Sequence, residues 1–315
     1  MTKKKIIILS IVGTIGTAVT IFGIWLIIFL CNRPAPIHYE NEKLTEDSEL
    51  ITIPTNPDTP DSSNENLDET PEPKKISPKD YSAKEVVSMS LWNITQINSF
   101  EVTTVGTSTA FGGLKVNISN SRKVIGNEAM ITCISAGIVS AGSQRYFKNG
   151  NVYLRTTSNV NSDATAEFSD DAEMESITEE KYLERYGWLP HNAFGYVIKD
   201  STYLEDPIMV DNGNNTYKIT INLNPESEAP FYYKREIATN AAASEDPVFE
   251  KINIIMTIDE DFKIKEVKFN EGYKVKAYGL IETPTETNLV DTYNYDNVKF
   301  VDEYYNYFKN KINQE

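Results

Sequence analysis

The chain has 315 residues, 40% of them apolar, and a net charge of −16. That length suffices for one large or two ordinary domains. The charge argues against a nucleic-acid surface, which needs a lysine or arginine stripe, and the one basic cluster is Lys3-Lys4-Lys5. Cys31 and Cys133 stand in unlike surroundings, so no disulfide framework is expected.

Residues 6–31 run without a charge. As a helix they would measure about 39 Å, enough to cross a hydrocarbon layer of roughly 30 Å with some tilt. A cleavable signal has a core of only about 7–15 residues. Residues 1–5 therefore read as a basic cytoplasmic stub, and residues 6–31 as one transmembrane helix, with the bulk of the chain outside the cell. A lipidated Cys31 is disfavoured, because Leu30 stands where a lipobox wants a small residue.

Residues 32–78 hold 8 of the 14 prolines, 11 acids and only 4 bases. Such a stretch cannot bury enough apolar surface to offset its ordering entropy, so it reads as an acidic, disordered stalk. Residues 79–315 read as one extracytoplasmic domain.

The domain opens with an amphipathic helix in "YSAKEVVSMSLWNITQINSF". Ser82 and Glu85 form its capping box, and Val87, Leu91, Ile94 and Ile97 its stripe. Alternating strands follow, and Asn149-Gly150 marks a tight hairpin. Ser162 to Glu180 is polar and acidic. Ser176 and Glu179 read as a second capping box, opening "EEKYLERYGW", and Pro190 as the start of a further helix, "PHNAFGYVI". Strands resume at "TYKITINL", "FYYKREIA", "FEKINIIMTID", "FKIKEVKFNEGYKVKAYG" and "TNLVDTYNYDNVKF", and "VDEYYNYFKNKI" reads as a closing helix. This order predicts an α+β domain built on one meandering antiparallel sheet.

A leading helix running into "INSFEVTTVGT", with "MTIDEDFKIKEVKF" followed by "NEGYKVKAYG", resembles the lipoprotein-carrier fold. That group includes the outer-membrane lipoprotein carrier, the mycobacterial glycolipid-binding lipoproteins and the periplasmic regulator of an envelope-stress anti-sigma factor. The resemblance spans roughly Tyr81 to Phe308 and implies a curved open half-barrel with helices plugging its concave face. Composition suggests a Gram-positive, membrane-anchored version. The poor lipobox and the long stalk are departures. The fold would hold a lipid or acyl chain on its concave apolar face, under a lid or mouth formed by Tyr182, Tyr186, Trp188, Leu189, Phe194 and Tyr196. The alternative is an ectodomain that docks another envelope protein and takes no small molecule. An open apolar pocket of several hundred cubic ångströms would favour lipid, and a filled, dry core would favour docking.

Other residues have plainer roles. Cys133 alternates with apolar neighbours and reads as a buried, inert thiol. His191 lacks an ordered histidine partner, and His38 lies in the stalk. The acids from Asp163 to Glu175 lack calcium-loop spacing. The sequons at Asn93, Asn117 and Asn214 read as chance. With no nucleophile elbow, phosphate-cradling loop or metal spacing, neither catalysis nor a cofactor is expected.

Overall fold

The computed structural model describes residues 76–110, 113–137, 140–190, 194–240, 245–277 and 281–314. The expected anchor, Cys31, His38, His191 and all of the expected stalk before Ile76 lie outside the described residues. Among the described residues no helix is long and apolar enough to cross a membrane.

Eleven strands form one antiparallel sheet. β1 (Ser99–Ala110), β2 (Leu114–Ile125), β3 (Glu128–Ala136), β4 (Ala141–Lys148), β5 (Asn151–Thr157) and β6 (Glu175–Thr178) make one meander. β7 (Ile208–Gly213), β8 (Thr216–Leu223), β9 (Val248–Asp259), β10 (Ile264–Ala277) and β11 (Ile281–Asn294) make a second. The two join through a single seam, β1 against β11, paired from Glu101–Asn294 to Thr109–Glu286. The order is therefore β6-β5-β4-β3-β2-β1-β11-β10-β9-β8-β7.

Chain alternation explains the two faces. Along β9, Phe249, Ile252, Ile254, Met256 and Ile258 are buried, and along β8 so are Tyr217, Ile219, Ile221 and Leu223. Successive strand side chains point to opposite faces, so these residues build one main core. Asn149 (φ 52°) and Gly150 (φ 75°) turn β4 into β5 as expected. Asn214 (φ 53°) and Asn215 (φ 58°) do the same between β7 and β8, and asparagine tolerates that backbone region better than most residues.

Helix α1 (Ala83–Thr95) covers the main core with Val86, Val87 and Ile94. Its capping box is present: Ser82 Oγ accepts from Glu85 N at 3.3 Å, and Glu85 Oε2 accepts from Ser82 N at 2.8 Å. The buried stripe is shifted from the expected one, since Leu91 and Ile97 are only partly buried. Helix α2 (Glu179–Tyr186) is capped by Thr178, whose hydroxyl accepts from Lys181 N. The expected Ser176 cap is overturned because Ser176 pairs with Tyr153 inside β6. Phe194 to Ile198 is irregular, so the helix expected after Pro190 does not continue there.

"FYYKREIA" is also corrected, from strand to helix. It opens α3 (Phe231–Asn240). Its aromatic run suits a strand, but Asn224, Ser227 and Pro230 supply a turn and a helix start just before it. Four-residue spacing then sets Tyr233 and Ile237 against the main core.

Helix α4 (Asp302–Ile312) packs on the opposite face. There Tyr307 and Phe308 meet Met130 and Tyr146, the outward neighbours of the core residues Ala129 and Phe147. Arg155 fastens this helix. It is 2% exposed, its Nε donates to Gln144 Oε1 at 2.7 Å, and its guanidinium lies 3.8 Å from the Tyr307 ring centroid. Arg155→Ala should cost about 3 kcal/mol, because it empties a buried volume and leaves Gln144 without its donor. A urea titration measures the loss, and exchange of the α4 amides should rise with it.

Candidate functional site

The chain must travel from β6, at one edge of the sheet, to β7, at the other. Ten strand spacings of about 4.8 Å make that roughly 48 Å, so the connection crosses a face of the sheet. Glu179–Pro207 makes the crossing and, with α3, roofs the central strands. This is why its aromatic residues are buried.

Two clusters result. In the first, Tyr182 and Tyr186 stand one helical turn apart with ring centroids at 4.5 Å. Tyr182 packs edge-on to Phe147 at 4.8 Å, and Arg145 Nη1 donates to Tyr182 Oη at 2.8 Å. The Arg145 guanidinium also lies 4.3 Å from the Tyr186 ring centroid. Burial pushes the Tyr182 phenol up, so it stays neutral and accepts that bond.

The second cluster surrounds a cavity of about 100 Å³. Its floor is Val102 and Thr104 on β1, Arg122 on β2, Cys133 on β3, and Asp291 and Tyr293 on β11. Its roof is Trp188, Phe194 and Gly195 from the crossing, with Tyr232, Tyr233 and Glu236 from α3. The Arg122 guanidinium lies 5.6 Å from the Phe100 ring and 5.8 Å from Trp188. Tyr196 stacks on Tyr233 at 4.7 Å and faces Phe269 at 6.0 Å. Gly195 allows that stack, since a Cβ there would meet Tyr233 Cε2 at 2.3 Å.

The floor is electrostatically unusual. Asp291 Oδ1 and Tyr293 Oη are buried with no hydrogen-bond partner among the described residues. The same holds for Glu271 Oε1, close by. Burial pushes the Asp291 carboxyl up to about 6, against Thr104 and Arg122, which favour its charged form. Burial pushes Glu271 up to about 7, although Tyr196 beside it pulls the other way. Waters or a polar ligand group in the cavity would satisfy the Asp291 and Tyr293 atoms, and the volume holds a few such groups.

Cys133 lines the same cavity, half-buried, and burial pushes its thiol up to about 11. At pH 8 alkylation of Cys133 should run about a hundredfold slower in the folded protein than in urea, because the thiolate is the nucleophile. Peptide mapping of the alkylated chain separates Cys133 from Cys31.

Of the six residues expected at a mouth, Trp188 and Phe194 line the cavity. Tyr196 is tucked beside Glu271. Tyr182 and Tyr186 belong to the Arg145 cluster, and Leu189 packs against the main core. None of the six forms an exposed rim. Arg122, Glu271, Asp291 and Tyr293 were missed. Two patterns carried their signal: Phe269-Asn270-Glu271-Gly272-Tyr273 and Leu289-Val290-Asp291-Thr292-Tyr293 each place an acid in the inward phase of a strand. Among the described residues no group of three or more His, Cys, Asp and Glu side chains converges as a metal site.

No protein-family model matches the chain, and no curated protein matches it.

Proposed function

We propose that this chain is a membrane-tethered extracytoplasmic binding protein. It takes a lipid or acyl chain against the roofed face of its sheet, with the polar end of the ligand at the β1–β2–β11 floor. The observation that carries this is a cavity whose floor holds unpaired buried polar atoms beneath an aromatic roof. A core serving stability alone would be paired or dry there, because each unpaired buried polar atom costs about 1–3 kcal/mol. Two meanders meeting at one seam, with three helices on a single face, also support the resemblance to the lipoprotein carriers. The placement of α4 on the opposite face departs from a fold whose helices all plug one side.

At about 100 Å³ the closed cavity fits a polar head or water, whereas sites for larger ligands run about 300–1,000 Å³. An acyl chain therefore enters only when the crossing and α3 lift away. The same small volume favours a second reading, in which the domain docks another envelope protein and holds no small molecule.

Native mass spectrometry of the membrane-extracted full chain, paired with uptake of a fluorescent fatty acid, tests the first reading. Gly195→Val displaces Tyr233 and should raise uptake severalfold over the natural chain. Absence of bound lipid, with no uptake by either protein, rejects lipid binding and leaves docking.

A further inference from the structure

The cavity floor suits some polar groups and rejects others. Asp291 and Tyr293 stand two residues apart on β11, so both side chains leave the same face of the sheet, from Cα atoms about 6.6 Å apart. Asp291 Oδ1 and Tyr293 Oη both line the cavity's walls, closed off from solvent, and each lacks a hydrogen-bond partner among the described residues. The carboxyl is otherwise supported. Thr104, opposite it on β1, bonds to it, and the Arg122 charge favours its ionised form. What remains open is one carboxylate oxygen and one phenol.

A carboxylate oxygen accepts and never donates, whereas a phenol does both. A group that satisfies the pair must therefore donate to Asp291 Oδ1. A hydroxyl does so and accepts from Tyr293, so a single atom serves both. An ammonium donates to both, and the rings of Trp188, Tyr232 and Tyr233 in the roof suit a cation. A carboxylate or phosphate head accepts from Tyr293 but sets like charge against Asp291, and Glu236 in the roof adds a second acid. Arg122 does not reverse this. Its guanidinium is already engaged by the Phe100 and Trp188 rings, at 5.6 and 5.8 Å, and by the Asp291 charge.

We propose that the ligand carries a hydrogen-bond-donating head, a hydroxyl or an ammonium, held between Asp291 and Tyr293, and that this floor selects against carboxylate and phosphate heads. The proposal rests on the reading of the domain as an acyl-chain binder and adds the class of head to it. A closed volume of about 100 Å³ matches a head of one or a few heavy atoms. Head choice and chain uptake separate in space. The chain needs the roof to lift, while the head is read by two side chains fixed on one strand.

Uptake of one fluorescent dodecyl chain, ending in a hydroxyl, an ammonium or a carboxylate, tests this on the full chain in lipid nanodiscs at pH 8, with uptake by empty nanodiscs subtracted. At that pH the Asp291 carboxyl, pushed up to about 6, is ionised. The natural chain should bind the hydroxyl and ammonium probes about tenfold more tightly than the carboxylate, the effect of one buried acceptor left unmatched. Asp291→Asn keeps the shape of the side chain and adds an amide donor, so the gap should close to within about threefold. Equal binding of the three probes by the natural chain overturns the head selection and leaves acyl binding standing. Binding of none overturns both. A preference that passes unchanged into Asp291→Asn overturns the placement of the head on this floor. The ratio in the natural chain decides the class of head whether or not the variant folds.

Discussion

Gly106→Val should unfold the domain or cost it about 3–5 kcal/mol. Gly106 sits in β1 opposite Leu289 of β11. A Cβ there would lie 2.1 Å from Asn288 O, 2.8 Å from Leu289 Cα and 2.9 Å from Leu289 Cδ2. Two of those atoms are backbone or fixed to it and cannot step aside. The strain falls on the one strand pair that joins the two meanders, so local relief means parting the seam. The contrasting substitution is Gly272→Ala in β10, whose Cβ would meet only Lys251 Cβ, at an ordinary 3.6 Å. It should change stability by less than about 1 kcal/mol. Urea titrations of both variants check this. Equal destabilisation would mean that the seam carries no special strain.

Elements with a strong local signal were legible in the sequence. The α1 capping box, the Asn149-Gly150 hairpin and the alternation of β9 each rest on residues close in the chain, and the structure keeps all three. The seam was not legible. β1 and β11 lie some 180 residues apart in the chain, and nothing in either strand names its partner. "FYYKREIA" failed for a related reason, since aromatic residues suit a strand and an inward helix face equally. The turn before it decided the outcome, together with the packing of Tyr233 on Tyr196. The site was half legible. Trp188 and Phe194 mark a roof by composition alone. The floor needed inward acids to be noticed in strands otherwise read for their apolar phase. The polar edge β6 and the apolar edge β7 are both short, and neither shows the longer alternation that marks a strand in sequence.

The buried carboxyls of Glu271 and Asp291 should make stability fall as pH rises through the acid-to-neutral range. Glu271 titrates near its ordinary value of 4.5 when unfolded and at about 7 when folded. Between those values the folded state holds the proton more tightly, so raising the pH favours unfolding. The contribution is complete below about 4.5 and gone above about 7, a difference of about 3 kcal/mol for this 2% exposed side chain. Asp291 adds a similar trend between its ordinary 3.8 and about 6. The rest of the chain also titrates, so the variant Glu271→Gln isolates the effect. Its urea midpoint should match the natural chain near pH 4.5 and exceed it near pH 8, where the natural carboxylate is charged and buried while the amide stays neutral. A constant gap between the two proteins would assign Glu271 no proton uptake on folding. The groups facing Glu271 give the effect its direction at the roof. Tyr196, Tyr233 and Tyr273 surround it with neutral phenols, and Asp291 adds like charge. A carboxylate formed there repels Asp291 and sits under Tyr196, the roof residue nearest to it. The roof should therefore be held most tightly in acid and loosened toward neutral pH, and uptake of an apolar ligand should rise with pH over the window in which Glu271 gives up its proton.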